Sequence, residues 1–120
     1  MQLNGLERFA LGKLIAHRPS IDEALLSAAT RVLERVRTPV GFYALIELPP
    51  GFCDLDHLPE CEWKFRVGLQ KRGGFFVCWP VGDSRLCLEA VCDGGLDAPS
   101  LASELLSEGA GPEGLREATP

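Results

Sequence analysis

From Glu62 to Cys92 the chain alternates. Trp63, Phe65, Val67 and Leu69 are interleaved with Glu62, Lys64, Arg66 and Gln70. A Lys71-Arg72-Gly73-Gly74 break follows, then Phe75, Val77 and Trp79. A Gly82-Asp83 break follows those, then Leu86, Leu88 and Ala90. Period two gives a strand one buried and one solvated face, so the segment reads as an antiparallel meander. It carries no catalytic motif.

The turns set the expected register. A two-residue Gly82-Asp83 loop of type II′ pairs Trp79 with Leu86, Val77 with Leu88 and Phe75 with Ala90, all on the core face. A one-residue slip would set Trp79 against Cys87, and the pattern argues against it. A three-residue Lys71-Arg72-Gly73 loop with a left-handed Gly73 pairs Leu69 with Phe75, Val67 with Val77 and Phe65 with Trp79. Cys78 and Cys87 then face each other on the opposite side.

Upstream, helical signals dominate. Asn4-Gly5-Leu6-Glu7 has the form of a capping box, with Leu3, Leu6, Ala10 and Leu14 at helical spacing behind it. His17-Arg18-Pro19 ends that helix, where His17 can bond the last carbonyls. Ser20-Ile21-Asp22-Glu23 is a second capping box. It opens a predicted second helix with Ile21, Leu25, Ala28, Val32 and Val36 on one face, stopped by Thr38-Pro39. Arg31, Arg35 and Arg37 then gather near a helix end, where cations suit the dipole. Val40, Phe42, Ala44, Ile46 and Leu48 follow as one face of a strand placed inside the sheet. Pro99-Ser100 opens a predicted short helix with Leu101, Leu105 and Leu106, and residues 109–120 have the composition of a disordered tail.

Bulk properties narrow the function classes. The 120 residues suffice for one domain, and a net charge of −5 disfavours nucleic acid as the main ligand. No apolar run reaches the length of a membrane span, and the first residues lack the features of a signal peptide. A cytoplasmic protein is expected. The five cysteines, Cys53, Cys61, Cys78, Cys87 and Cys92, are then expected as free thiols.

Two groupings could carry chemistry or recognition, and both fall in the long connection after Pro49-Pro50-Gly51. Cys53, His57 and Cys61 have the residue types for zinc binding or for a thiol–imidazole nucleophile. C-x3-H-x3-C is not a standard zinc spacing, no second ligand pair accompanies it, and no nucleophile elbow or phosphate loop is present. The expectation is therefore no metal and no cofactor. The second grouping is electrostatic. Glu47, Asp54, Asp56, Glu60 and Glu62 occur without an intervening Lys or Arg. Phe52, Leu55 and Leu58 sit among them, giving apolar anchors within an acidic rim, a composition suited to a basic protein partner. Phe52, Asp54, Leu55, Asp56 and Glu60 are the candidate contacts.

A further pattern spans residues 3–97. Arg37-Thr38-Pro39-Val40-Gly41-Phe42-Tyr43 lies after an opening Leu-x-x-Leu-Glu helix. Gly73-Gly74-Phe75-Phe76-Val77 follows, then Gly82-Asp83 before a strand with Leu88-Glu89. This resembles a family of small bacterial proteins, largely uncharacterised, some of which accompany toxin systems. Thr38-Pro39-Val40 replaces that family's T-G-x, Gly82-Asp83 inverts its D-G turn, and Ala90 stands where its glycine follows Leu-Glu. The resemblance implies an immunity-type role and carries no catalytic residues with it.

Together these readings predict a single α+β domain over residues 1–108. Two N-terminal helices and a short C-terminal helix would cover one face of a four-stranded, mostly antiparallel sheet. The predicted function is a non-catalytic bacterial binding protein, a toxin immunity protein or inhibitor that occludes a basic target through the acidic loop. A secretion chaperone or adaptor is the related alternative. A small thiol- or metal-dependent enzyme using Cys53, His57 and Cys61 is the alternative of a different class.

Overall fold

A computed structural model describes residues 2–15, 30–49, 61–68, 73–82, 84–93 and 106–109. The described residues form one helix, α1 (Gly5–Ile15), and six strands: β1 (Arg31–Thr38), β2 (Gly41–Glu47), β3 (Cys61–Val67), β4 (Gly73–Pro80), β5 (Arg85–Cys92) and β6 (Leu106–Glu108). All six strands join one sheet in the order β1-β2-β5-β4-β3-β6, and every pairing is antiparallel. The expected four strands with three helices are thus replaced by a six-stranded sheet with a single described helix.

The capping box forms as its residue types require. The Glu7 N–H donates to Asn4 Oδ1 at 2.8 Å, and the Asn4 N–H donates back to Glu7 Oε1 at 2.8 Å. Leu6, Ala10, Leu11, Leu14 and Ile15 are buried beneath α1, at about 1.5–3 kcal/mol for each large side chain. The helix packs on β3 and β4, while Glu7 near its start reaches Arg35 on β1. Eleven residues extend about 16 Å, roughly the width of three strand spacings, so α1 bridges the sheet across its strands.

The expected second helix is overturned over its described part, because Arg31–Thr38 is an edge strand. Val32, Val36 and Thr38 are β-branched, and Pro39-Val40 makes a two-residue turn that returns the chain as β2, with Thr38 paired to Gly41. The proline that would stop a helix here turns a hairpin. A bulge between Val32 and Glu34 shifts the register. Val32 therefore faces the helix with Ile46, whereas Val36 pairs with Tyr43 on the other side of the sheet. Residues 16–29, which hold the second capping box and His17, lie outside the described residues. The predicted C-terminal helix is corrected over its described end, where Leu106–Glu108 is β6, paired with β3; residues 99–105, with Leu101 and Leu105, lie outside the described residues.

β2 and β5 bury the residues their patterns predict. Phe42, Ala44, Ile46 and Leu48, and then Leu86, Leu88, Ala90 and Cys92, all face α1. β4 does not follow its expected register. Trp79 pairs with Cys87, Val77 with Glu89 and Phe75 with Val91, so Phe76 and Cys78 point to the core. The turn is the cause. The Val81 N–H donates to the Arg85 carbonyl at 2.9 Å, closing a three-residue loop from Gly82 to Ser84. Gly82 (φ 75) and Ser84 (φ 59) are both left-handed. One residue more than expected in the turn moves every β4 side chain to the other face relative to β5.

The β3–β4 register differs as well. Phe65 pairs with Gly74 and Cys61 with Cys78, so Cys78 faces Cys61 and not Cys87. Gly73 lies within β4, and the left-handed glycine of this connection is Gly68 (φ 55). Close approach fixes the register: a Cβ on Gly74 would meet Phe65 Cζ at 2.8 Å and the Val91 carbonyl. Trp63 then stacks on Phe76 at 6.2 Å, Phe65 meets Phe76 at a tilt of 34°, and Phe9 of α1 meets Trp63 edge-on at 5.5 Å.

Candidate binding face

One side of the sheet carries α1 and the core. The pairing registers define what stands on the other side. One row reads Val36, Tyr43, Glu89, Val77, Glu62 from β1 to β3. The adjacent rows read Glu34, Leu45, Cys87, Trp79 and Thr38, Gly41, Val91, Phe75, Lys64. A solvated face of an antiparallel sheet is ordinarily polar. This one has Tyr43, Leu45, Phe75, Val77, Trp79 and Val91 at its centre.

The apolar centre is an open groove of about 510 Å³ lined by Glu62, Phe75, Val77, Trp79 and Glu89. Val77, only 6 % exposed, is its floor. Phe75 and Trp79 flank Val77 along β4, each roughly 7 Å away at the backbone. Glu89 and Glu62 flank it across the strands, on β5 and β3. Glu89 is half-buried and has no ion-pair or hydrogen-bond partner among the described residues. Among the described residues Glu62 is paired only with Lys64, at 3.9 Å, with both side chains exposed.

Two other sets of charged groups tie elements of the structure together. At one end of the face Arg31 donates twice to Glu47 Oε1, at 3.1 and 2.9 Å, and Arg85 approaches Oε2 at 3.5 Å. Those contacts, Arg31 first, hold the Glu47 carboxyl below its ordinary pKa. On the helix side Arg35 is bidentate to the buried Glu7 and also donates to the Gln2 carbonyl at 2.8 Å. A smaller pocket of about 200 Å³ beside this pair is lined by Asn4, Leu6, Glu7, Arg35, Val36, Arg37 and Phe42. The three arginines expected at a helix end thus lie along an edge strand, with Arg31 and Arg35 each held by a carboxylate.

Cys61, Cys78, Cys87 and Cys92 are free thiols. Burial above all pushes Cys78 up to about 12, with Cys61 and Cys87 adding to the effect. Burial beside Asp93 pushes Cys92 up to about 11, and burial near Glu89 raises Cys87. These three are neutral at physiological pH, the opposite of an activated nucleophile. Among the described residues, no group of three or more His, Cys, Asp or Glu side chains is placed to hold a metal ion. Among them, too, no helix is long and apolar enough to cross a membrane.

Of the residues singled out from sequence, Phe52, Cys53, Asp54, Leu55, Asp56, His57 and Glu60 lie outside the described residues. Cys61 opens β3, turned toward the core. The segment's flanks are described: Glu47 and Glu62, the first and last carboxylates of the acidic run, both stand on the open face. Phe75, Val77, Trp79 and Glu89 were not singled out as site residues. The available signal was Phe75-Phe76-Val77-Cys78-Trp79, apolar at every position and so apolar on both faces.

No family model, curated protein or solved structure matches this chain.

Proposed function

We propose that this chain is a non-catalytic, cytoplasmic binding protein that docks a basic protein partner on the open face of its sheet. The half-buried aromatic groove between Glu62 and Glu89 supports the reading most directly. Large apolar side chains on a sheet face with carboxylates beside them have the makeup of an interface centre with a charged rim. In the sequence, the acidic segment containing Phe52, Asp54, Leu55, Asp56 and Glu60 leads directly into Glu62, and we take those residues as further candidate contacts. An immunity-type inhibitor fits this chemistry, because a basic active site can be occluded by an acidic, shaped surface without any reaction. Several described titratable groups away from the groove fit a structural role: Glu7 and Arg35 engage each other, Glu47 engages two arginines, and the buried thiols stay protonated.

The test is affinity for the partner purified from the native host. Phe75→Ala and Trp79→Ala should each weaken binding by about tenfold or more, as aromatic anchors do. Lys13→Ala on the helix side should leave binding unchanged. Equal affinity for all four proteins would remove the open face as the interface.

A further inference from the structure

We propose that the groove over Val77 is a receptor for an arginine side chain of the partner protein. The inference rests on the docking reading above and specifies its chemistry. Phe75 and Trp79 stand on either side of Val77, two residues away in each direction along β4. Aromatic faces carry negative potential and attract a cation placed over them. Glu62 and Glu89 approach from the two neighbouring strands, about 10 Å apart at the backbone. The groove therefore offers ring faces along one axis and carboxylates along the other, above an apolar floor. Charge–charge attraction is stronger over such a floor than in bulk water.

Glu89 carries the argument furthest. Its neighbours across the strands are Tyr43 and Val77, and no cation among the described residues pairs with it. Glu47, two residues from Leu45 on the same face, has two arginines. A half-buried carboxylate that no described cation pairs with, beside an open aromatic groove, is complementary to an incoming cation. Guanidinium suits it better than ammonium. It is planar, weakly hydrated, stacks on aromatic rings and can meet a carboxylate with two parallel bonds. The chain already uses the first half of this chemistry on its other side, where Lys13 Nζ lies 5.6 Å from the ring centres of both Phe9 and Trp63. Lys64 is the internal competitor: it touches Glu62 only at 3.9 Å and leaves Glu89 alone.

The chain has two tryptophans, and they report separately. Trp63 lies under α1 against Phe9, and Trp79 lines the groove. The experiment follows both indole N–H resonances of the full chain during titration with N-acetylarginine amide. N-acetylcitrulline amide, its neutral isostere, is titrated in parallel. The arginine compound should shift Trp79 saturably and leave Trp63 in place, with the citrulline compound at least about tenfold weaker, one decade being about 1.4 kcal/mol. Glu89→Gln should weaken the arginine compound by a similar factor, and Lys64→Gln should strengthen it a few-fold by releasing Glu62. No saturable shift at Trp79, or equal binding of the two compounds, would overturn the arginine assignment. The docking reading is judged apart, by the effect of Phe75→Ala and Trp79→Ala on partner affinity. It survives if those variants weaken the partner while the arginine titration fails.

Discussion

Arg35 Nε donates to Glu7 Oε2 at 2.7 Å and Arg35 Nη2 donates to Glu7 Oε1 at 2.7 Å, tying the first turn of α1 to the edge strand β1. The same carboxylate completes the capping box with Asn4. Glu7 is 1 % exposed and Arg35 about a third exposed. Bonding to Glu7 holds the guanidinium above its ordinary pKa despite the opposing effect of burial. Arg35 therefore stays charged to the alkaline limit. Glu7→Gln should keep much of the cap but leave Arg35 facing a neutral amide, at about 3 kcal/mol. Glu7→Gln with Arg35→Met should cost less than the sum of the two single changes. Urea unfolding of the four proteins measures both quantities.

Alkali should destabilise this protein before it would affect one with exposed thiols. Cys78 and Cys92 titrate near 9.0 when unfolded but at about 12 and about 11 when folded. The folded state holds these protons more tightly. Their contribution is complete below pH 9 and is lost as pH rises toward the folded values. Melting under reducing conditions should show stability falling above pH 9 by roughly 1 kcal/mol per thiol per pH unit. Cys78→Ala with Cys92→Ala should flatten that fall, whatever the two changes do at pH 7.

Glu47 gives the opposite limb. Its folded pKa lies below the ordinary 4.5, mainly through the Arg31 hydrogen bonds. The contribution is present above the unfolded value and disappears as pH falls through the folded one. Both partners are solvent-accessible, so salt should screen the effect. Between pH 6 and pH 3 the loss of melting temperature should shrink in Glu47→Gln and at high salt.

Two glycines should respond with opposite sign. Gly12 lies inside α1 with open space where a Cβ would go, so Gly12→Ala should stabilise by about 0.5–1 kcal/mol. Gly74 is pressed between Phe65 and the Val91 carbonyl, so Gly74→Ala should destabilise by about 2 kcal/mol or more. Thermal or denaturant unfolding distinguishes the two.

Local signals were legible where one physical rule acted alone. Asn4 and Glu7 announced the helix start because a capping box needs only four residues. Phe42 to Leu48 and Leu86 to Ala90 announced their buried faces because no bulge interrupts them. The reversed faces share a cause: single-residue parity. The bulge after Val32 and the extra residue in the Gly82–Ser84 turn each reverse which side chains are buried, and neither has a distinctive composition. Val32 and Val36, four apart, fit a helix as well as a strand until β2 supplies a partner. β6 is three residues long and exists only through its pairing with β3. The same parity hides the open-face groove, because a two-residue turn at Gly82-Asp83 puts Phe75, Val77 and Trp79 in the core.

The central claim is that the open sheet face, and not the helix side, meets the partner. Site-specific photocrosslinking tests it most directly, with p-benzoylphenylalanine introduced at Tyr43 on the open face and at Lys13 on α1 in separate proteins. Efficient crosslinking to the partner from position 43 with none from position 13 is the predicted result. Crosslinking from position 13 alone would contradict the account.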